Sequence, residues 1–141
     1  QLDYLDFLFG PMKVVNGVAA NQSGDYPAED IVLGNFTFES GVLGCGNWCF
    51  TTGETSQKDE IIIIGNKGEI RFPCFWVTSV TLKKDGMPDE VFEFEMPENI
   101  QYYLIQSIVN ELLEKGGECP STGVSAARTN WAMEQMTKNF K

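Results

Sequence analysis

The chain has 141 residues, of which 43% are hydrophobic and 21% charged, a composition typical of one soluble globular domain. Its net charge of −10, from 10 basic and 20 acidic residues, provides no basic patch for nucleic acid or an anionic membrane. The longest apolar run, residues 61–64, has the length of a strand and falls far short of the ~18 residues of a membrane-spanning helix. We therefore expect neither a nucleic-acid partner nor a membrane partner.

The chain contains four cysteines and no histidine, which limits its metal and redox chemistry. Cys45 and Cys49 lie four residues apart on one predicted strand, which separates their Cα atoms by roughly 13 Å. A disulfide requires about 7 Å or less. Zinc sites generally use close pairs of Cys and His, and the sequence has no such pair. We expect four reduced, mostly buried thiols, no metal site and a cytoplasmic location.

The first predicted elements are a short helix, a strand and a loop. Apolar residues spaced by three and four over residues 2–9 predict the helix, and Gly10 and Pro11 end it. No capping residue precedes its first turn. The run 12–20, rich in β-branched residues, predicts a strand, and the polar segment 21–30 predicts a loop.

The rest of the chain predicts antiparallel hairpins followed by two helices. The hairpins span residues 31–52, 59–72 and 77–96, with turns at 39–41, 65–68 and 85–88. The helices span residues 97–117 and 121–138, and Ser121 or Thr122 caps the second one. This order indicates the α+β class, with one sheet of six or seven strands and helices on one of its faces.

Both faces of the first hairpin carry apolar residues. One face contains Val32, Phe36, Phe38, Val42, Trp48 and Phe50, and the other contains Ile31, Leu33, Leu43, Cys45 and Cys49 beside Asn35, Thr37, Glu39 and Asn47. Three helices cover only one face, so a loop layer or another protein surface covers the second. We favour a second copy of the chain, because most soluble oligomers are symmetric homodimers.

No motif in the sequence supplies catalysis by itself. The stretch GCGNWC (44–49) resembles the start of a dinucleotide fingerprint, but strand rather than helix follows it. Its glycines instead indicate a bulge or a close backbone approach. Asp3 and Asp6 share one side of the first helix, as acids of a solvated helix face usually do. The residues alone therefore predict no catalytic, cofactor-binding or metal-binding group.

The segment QLDYLDFLFGPMKVVNGVAA resembles the H-x-x-D helix of the glucose-fructose oxidoreductase / inositol dehydrogenase / MocA family, with Asp3, Gly10 and Val15 in its frame. The segment DEIIIIGNKGEIRF is similar to the family's l-x-I-x-G-x-x-G-x-I hairpin. The segment beginning LIQSIVNELLEKGG resembles its last two helices. These similarities, in the family's order, cover essentially all 141 residues.

The resemblance implies an open-faced, predominantly antiparallel sheet like the C-terminal domains of dihydrodipicolinate reductase and glyceraldehyde-3-phosphate dehydrogenase. It implies that residues 1–141 form a single substrate-binding and dimerisation domain of a longer bacterial protein. A Rossmann domain for NAD or NADP and the catalytic Lys, Asp and His would lie outside this chain, with the His immediately before Gln1. The parent would oxidise a sugar, polyol or related hydroxy metabolite, and the isolated chain would be inactive.

The resemblance also implies three substrate-binding residues. Asp3 matches the aspartate that reaches substrate hydroxyls in inositol-type members, a role suited to a carboxylate, which accepts hydrogen bonds from a polyol. Alternatively, Asp3 only orients the neighbouring histidine. Asn47 and Trp48 match the strand that lines the substrate cleft, where Trp48 either stacks on a sugar or belongs to the core. The alternative function is a non-catalytic assembly or binding module that uses the open sheet face.

Overall fold

The computed structural model describes all residues 1–141 as three α-helices and seven strands, with a short 3₁₀ helix at Glu54–Ser56. The order of elements confirms the α+β class, and the predicted turns of the three hairpins are confirmed. The elements are α1 (Leu2–Phe9), β1 (Met12–Ala20), β2 (Ile31–Phe38), β3 (Leu43–Cys49), β4 (Ile61–Gly65), β5 (Gly68–Phe72), β6 (Ser79–Lys84), β7 (Glu90–Glu93), α2 (Tyr102–Leu112) and α3 (Gly123–Thr137).

The strands form two antiparallel sheets, ordered β1-β2-β3 and β4-β5-β6-β7, where a single sheet was expected. After β3 the chain runs through residues 50–60, which are mainly polar, and Gly53 and the 3₁₀ helix at Glu54–Ser56 interrupt the extended backbone. The chain divides into two compact units. The first unit is Gln1–Ser56 with Pro120–Lys141, and the second unit is Gln57–Cys119.

The core of the first unit lies where α1 and α3 pack on one face of the β1-β2-β3 sheet. Its centre is Phe38, which is 2% exposed and whose ring centroid lies 5.2 Å from that of Phe9 and 5.6 Å from that of Phe36. Val42 and Phe50, predicted for the same face, lie just outside the strands and are exposed. The buried residues of this core are Leu2, Val15, Val32, Phe36, Phe38, Ala132 and Met136.

Two paired glycines, Gly17 and Gly34, let α3 approach this sheet closely. Gly17, Gly34 and Gly46 are register partners across β1, β2 and β3. A Cβ on Gly17 would lie 2.7 Å from the Cα of Met136, and a Cβ on Gly34 would lie 2.6 Å from its sulfur. The helix therefore lies directly against the sheet backbone, and a larger side chain at Gly17 or Gly34 would displace it.

Helices α1 and α3 are joined by an ion pair. Arg128 Nε donates to Asp6 Oδ1 at 2.9 Å, and Arg128 Nη2 donates to Asp6 Oδ2. Asp6 is only 6% exposed, so the expectation of a solvated acidic face is wrong at this residue. The hydrogen bond that Arg128 donates to Asp6 raises the pKa of Arg128 above its ordinary value. The partner lies 122 residues away, so no local pattern could have revealed it.

The start of α3 is confirmed at Thr122, one of the two predicted caps. The Thr122 hydroxyl accepts a hydrogen bond from the Ser125 N–H, and the Ser125 hydroxyl accepts one from the Thr122 N–H. This capping box satisfies two N–H groups that the first helical turn leaves without partners. The helix therefore begins at a defined residue, which also fixes the position of its later turns.

The loop between β1 and β2 is anchored by Asp30, which is completely buried. The Gln22 N–H donates a hydrogen bond shared between the two carboxylate oxygens, at 2.8 Å from Oδ1 and 2.9 Å from Oδ2. The Ser23 N–H donates a second hydrogen bond to Oδ2 at 2.7 Å. The hydrogen bond from Ser23, followed by that from Gln22, holds the pKa of Asp30 below its ordinary value, although burial opposes the shift. The carboxylate thus stabilises this polar loop in its charged form.

The second unit buries little of its apolar surface. Phe72 and Cys119 are its only buried residues, and α2 contains none. All four cysteines are free thiols, but only Cys119 is buried, so the expectation of mostly buried thiols is wrong. Strand alternation places Cys45 on the exposed face of β3. None of the three helices combines the length and apolarity needed to cross a membrane.

Candidate functional site

A cavity of about 330 Å³ lies in the first unit, beside the beginning of α1 and the last turns of α3. We call it the α1–α3 cavity. It is bounded by Gln1, Leu2, Asp3, Glu29, Val32, Trp48, Phe50, Thr129, Met133, Met136 and Thr137. A mostly apolar concave site with a few polar groups is the usual form of a small-molecule site.

Asp3 reaches the cavity from the first turn of α1. Its Oδ2 accepts a hydrogen bond from the Ser121 hydroxyl at 2.8 Å, which holds the carboxylate in one orientation. Its Oδ1 is buried and has no hydrogen-bond partner. A buried carboxylate oxygen without a partner is unfavourable and uncommon, and a ligand in the cavity could reach this atom only if neighbouring side chains moved.

Thr129 lines the same cavity from α3, and its Oγ1 is also buried without a partner. Threonine hydroxyls inside helices commonly bond to the carbonyl four residues earlier, and Thr129 makes no such bond. By contrast, the Thr137 hydroxyl in the same cavity donates to the Met133 carbonyl at 3.0 Å. Asp3 and Thr129 therefore both line the cavity, and each has one buried polar atom that the protein leaves without a hydrogen bond.

Trp48 forms another part of the cavity wall, and its ring is held in place by two neighbours. The indole Nε1–H donates to the Gln1 side-chain oxygen. The ring also lies over Gly46, where a Cβ would sit 2.2 Å from Cη2. A Cβ on Gly44 would similarly lie 2.1 Å from the ring of Phe36. The expectation that the glycines of GCGNWC mark a close approach is confirmed, and the stretch lies within β3.

Asn47 lies on the opposite face of β3 from Trp48, because successive strand residues alternate between faces. It is exposed and is the register partner of Leu33. The structure thus brings Asp3 and Trp48 to one cavity but leaves Asn47 outside it. We call this side of the sheet the outer face; it carries Val18, Leu33, Leu43, Cys45 and Asn47.

Sequence reasoning missed Gln1, Glu29 and Thr129 as cavity residues. Thr129 had a detectable signal, since it precedes Met133 and Met136 by four and seven residues and therefore shares their helix face. Glu29 had none, because its position depends on the loop that Asp30 anchors. The charged side chains of the cavity are the two carboxylates Asp3 and Glu29, and no lysine or arginine lines it.

The chain matches one family model and several solved structures. The model of the oxidoreductase family C-terminal alpha/beta domain matches residues 1–138. No curated protein matches the chain. The WlbA dehydrogenase from Bordetella pertussis, solved with NADH and UDP-GlcNAcA, is 20% identical with a TM-score of 0.73, over 97% of this chain and 39% of that chain.

Two further structures show the same fold. An oxidoreductase from Agrobacterium radiobacter, solved with NAD⁺, L-tartaric acid and magnesium, is 16% identical with a TM-score of 0.79, over 97% of this chain and 43% of that chain. UDP-N-acetylglucosamine 3-dehydrogenase GnnA from Acidithiobacillus ferrooxidans is 14% identical with a TM-score of 0.76. The match covers 96% of this chain and 43% of that chain.

The chain spans about two fifths of the length of these structures. Because the identities are low, the structural likeness shows the fold alone. The family model covers nearly the whole chain, and its order of elements agrees with the helix, hairpins and final helices described above. The chain therefore belongs to the C-terminal alpha/beta domain of the glucose-fructose oxidoreductase / inositol dehydrogenase / MocA family of oxidoreductases.

Proposed function

We propose that residues 1–141 form the substrate-binding and oligomerisation domain of an NAD- or NADP-dependent oxidoreductase that acts on a sugar, polyol or related hydroxy metabolite. The observation that carries this proposal is the α1–α3 cavity, which Asp3 and Trp48 both line in a member of an oxidoreductase family. Two structures with the same fold support it, since one was solved with NADH and UDP-GlcNAcA and the other with NAD⁺ and L-tartaric acid.

The nucleotide cofactor would bind outside this chain. A pyrophosphate site needs free N–H groups at a helix N-terminus after a glycine-rich turn. The only stretch of that type, GCGNWC, lies inside β3, and the capping box of Thr122 and Ser125 occupies N–H groups at the start of α3. The residues of this chain therefore do not fit the cofactor, and the catalytic steps of the parent belong to its other part.

In this proposal, Asp3 accepts a hydrogen bond from a substrate hydroxyl. The bond from Ser121 keeps the carboxylate fixed, so little conformational freedom is lost when substrate binds. Trp48 offers its ring face to the apolar face of a sugar, since its N–H is already bonded to Gln1. Asn47, on the outer face, would act only where a second molecule approaches that face.

The outer face is the proposed contact between copies of the chain. Leu43 is 77% exposed and Leu33 is 48% exposed, although both lie in strands. Large exposed apolar side chains that share one strand face are typical of interaction surfaces. A symmetric homo-oligomer would cover this patch with the same patch of another subunit. The cytoplasmic location and the bacterial origin stay predictions.

A non-catalytic assembly module is the alternative function. The same outer face favours it, because the exposed patch alone could account for the domain's role. The ionisable side chains that line the α1–α3 cavity are the carboxylates of Asp3 and Glu29, so this chain brings neither a histidine nor a lysine to it. The two functions differ in whether the parent uses a nicotinamide cofactor.

The decisive experiment measures NAD- and NADP-dependent oxidation of a panel of sugars and polyols by the parent protein and by the 141-residue chain. We expect turnover by the parent and none by the chain. Asp3→Asn in the parent should lower kcat/KM about 10- to 100-fold, through loss of a charged hydrogen bond. Asp25→Asn, at an exposed loop residue, is the control. Turnover by the isolated chain, or an unchanged Asp3→Asn enzyme, would contradict the proposal.

A further inference from the structure

We propose that a second cavity, which lies entirely within the second unit of the chain, binds a small organic cation, that is, an ammonium group that carries apolar substituents. We call it the Trp76 cavity. It has a volume of about 730 Å³ and lies where the loop before β6, the end of β7 and the segment that leads into α2 meet. Cavities of roughly 300–1,000 Å³ are the usual size for small-molecule sites.

Three aromatic side chains line this cavity. Trp76 is 70% exposed, Phe94 is 53% exposed and Tyr103 is 66% exposed. Large apolar side chains that are exposed around one concave surface are typical of a surface that binds a partner. Aromatic rings attract a cation electrostatically through their negative faces, and tryptophan does so most strongly. The cavity therefore presents the side chains that bind ammonium groups.

Backbone hydrogen bonds hold two of these aromatic residues relative to each other. The Thr78 N–H donates to the Trp76 carbonyl at 2.8 Å, and the Phe94 N–H donates to the Thr78 carbonyl at 2.9 Å. The same loop is anchored one residue earlier, because the Phe75 N–H donates to Asp59 Oδ2 at 2.6 Å. A ligand that binds between Trp76 and Phe94 would therefore order little backbone.

The charge of the cavity selects a cation. Glu93 and Glu95 line it together, and no basic side chain does. In the same strand, Glu90 is neutralised by Lys84 at 2.6 Å, whereas the register partner of Glu93 is Ser79. No lysine or arginine of the chain forms an ion pair with Glu93 or Glu95. A cation in the cavity would meet two uncompensated carboxylates, and the net charge of −10 adds attraction of the same sign.

The remaining walls favour an organic cation over a metal ion. Val77, Pro97 and Ile100 are apolar and also line the cavity. A hydrated metal ion would lose water beside them without gaining ligands, since the chain has no group of three or more His, Cys, Asp or Glu side chains placed to hold a metal. An alkylated ammonium group instead buries its methyl groups against these walls.

The charge preference is tested by calorimetry on the 141-residue chain with three matched probes. The probes are choline, its neutral isostere in which a tert-butyl group replaces the trimethylammonium group, and phosphocholine. We expect a dissociation constant of about 1 mM or lower for choline, and binding of the isostere at least about tenfold weaker. Phosphocholine should also bind more weakly than choline, because its phosphate would meet Glu93 and Glu95.

The contribution of the aromatic wall is tested with Trp76→Leu. Choline binding should weaken about fivefold or more through loss of the cation–π contact. Phe75→Leu is the matched control, since Phe75 is the preceding residue, is also an exposed aromatic and does not line the cavity. Circular dichroism checks that both variants keep the fold.

The contribution of the carboxylates is tested with Glu93→Gln. This variant should weaken choline binding about threefold or more and leave binding of the neutral isostere unchanged, which narrows the difference between the two probes. Glu90→Gln is the matched control, because Glu90 lies in the same strand, is already paired with Lys84 and does not line the cavity.

The proposal is overturned if choline fails to bind, if the neutral isostere binds as tightly as choline, or if Trp76→Leu and Glu93→Gln leave choline binding unchanged. Phosphocholine binding as tight as that of choline would also overturn it, since a lipid headgroup rather than a free cation would then fit the cavity. These outcomes are independent of the proposed function, because every lining residue belongs to the second unit and no oxidation is measured.

Discussion

The two units of the chain contain the same kinds of elements but bury them to different extents. In the first unit, α3 places Ala132 and Met136 in a core with Phe38. In the second unit, α2 has a more pronounced apolar face than α3 but no buried residue, and its Leu112 is 77% exposed. Apolar periodicity therefore predicts that a helix forms and which face is apolar, but it does not predict what covers that face.

The interactions of the second unit are mainly backbone ladders and surface ion pairs. Lys84 Nζ lies 2.6 Å from Glu90 Oε1, and Lys83 Nζ lies 3.3 Å from Asp89 Oδ2, between neighbouring strands. Exposed pairs of this type contribute little to stability, whereas burial of large apolar side chains contributes most of it. We therefore expect the 141-residue chain to be sensitive to substitution in the first unit and tolerant in the second.

The largest expected effect is that of Phe38→Ala. Removing a buried ring leaves a cavity in the core, which should lower the free energy of unfolding by about 3–5 kcal/mol. Phe94→Ala in the second unit is the control. Because Phe94 is 53% exposed, this substitution should lower the free energy of unfolding by less than about 1 kcal/mol. Urea unfolding followed by circular dichroism measures both. Equal losses would mean that the second unit buries Phe94 in solution.

Gly17→Ala tests the close contact between α3 and the sheet. The new Cβ would lie 2.7 Å from backbone atoms of Met136, so the helix must move. Overpacking of this kind should cost about 1–3 kcal/mol. Gly53→Ala is the control because its Cβ would meet nothing within 4 Å, and it should be neutral or slightly stabilising. If the two variants have the same urea midpoint, the contact between α3 and the sheet is not tight.

Arg128→Met should lower the melting temperature, since it leaves the carboxylate of Asp6 buried without its partner. Adding Asp6→Leu should recover most of the loss, because the double variant leaves no uncompensated charge. Lys84→Met, which breaks an exposed pair in the second unit, should change the melting temperature very little. If the double variant is no more stable than Arg128→Met alone, the buried charge is not the cause of the loss.

Acid should weaken the first unit through Asp30. The pKa of this carboxyl is lower in the folded chain than in the unfolded chain, so its contribution is present above the unfolded value of 3.8 and disappears as pH falls through the folded value. Asp30→Asn should therefore be less stable than the wild type at neutral pH, and this difference should shrink towards pH 3. Asp25→Asn is the matched control. A difference that grows in acid would contradict the assignment.

Local patterns in the sequence predicted the elements, whereas long-range contacts determined the site. The turns at Gly65–Gly68 and the cap at Thr122 follow from neighbouring residues and were predicted correctly. Asp3 and Trp48 were found through a family motif, but the cavity that joins them depends on Gly46 and on the approach of α3. The pairing of Asp6 with Arg128 and the division into two sheets depend on residues far apart in the chain.

The smallest expected effect is that of Leu112→Gln at the end of α2. Glutamine keeps the helix propensity of leucine, and the side chain is largely exposed, so the free energy of unfolding should change by less than about 0.5 kcal/mol. Met136→Gln, the same type of change at a buried position of α3, should cost several times more. A Leu112→Gln loss above about 1 kcal/mol would show that another surface covers α2 in solution, because only a buried leucine contributes that much. Repeating the measurement over a range of protein concentrations would identify that surface as a second copy of the chain if the loss grew with concentration.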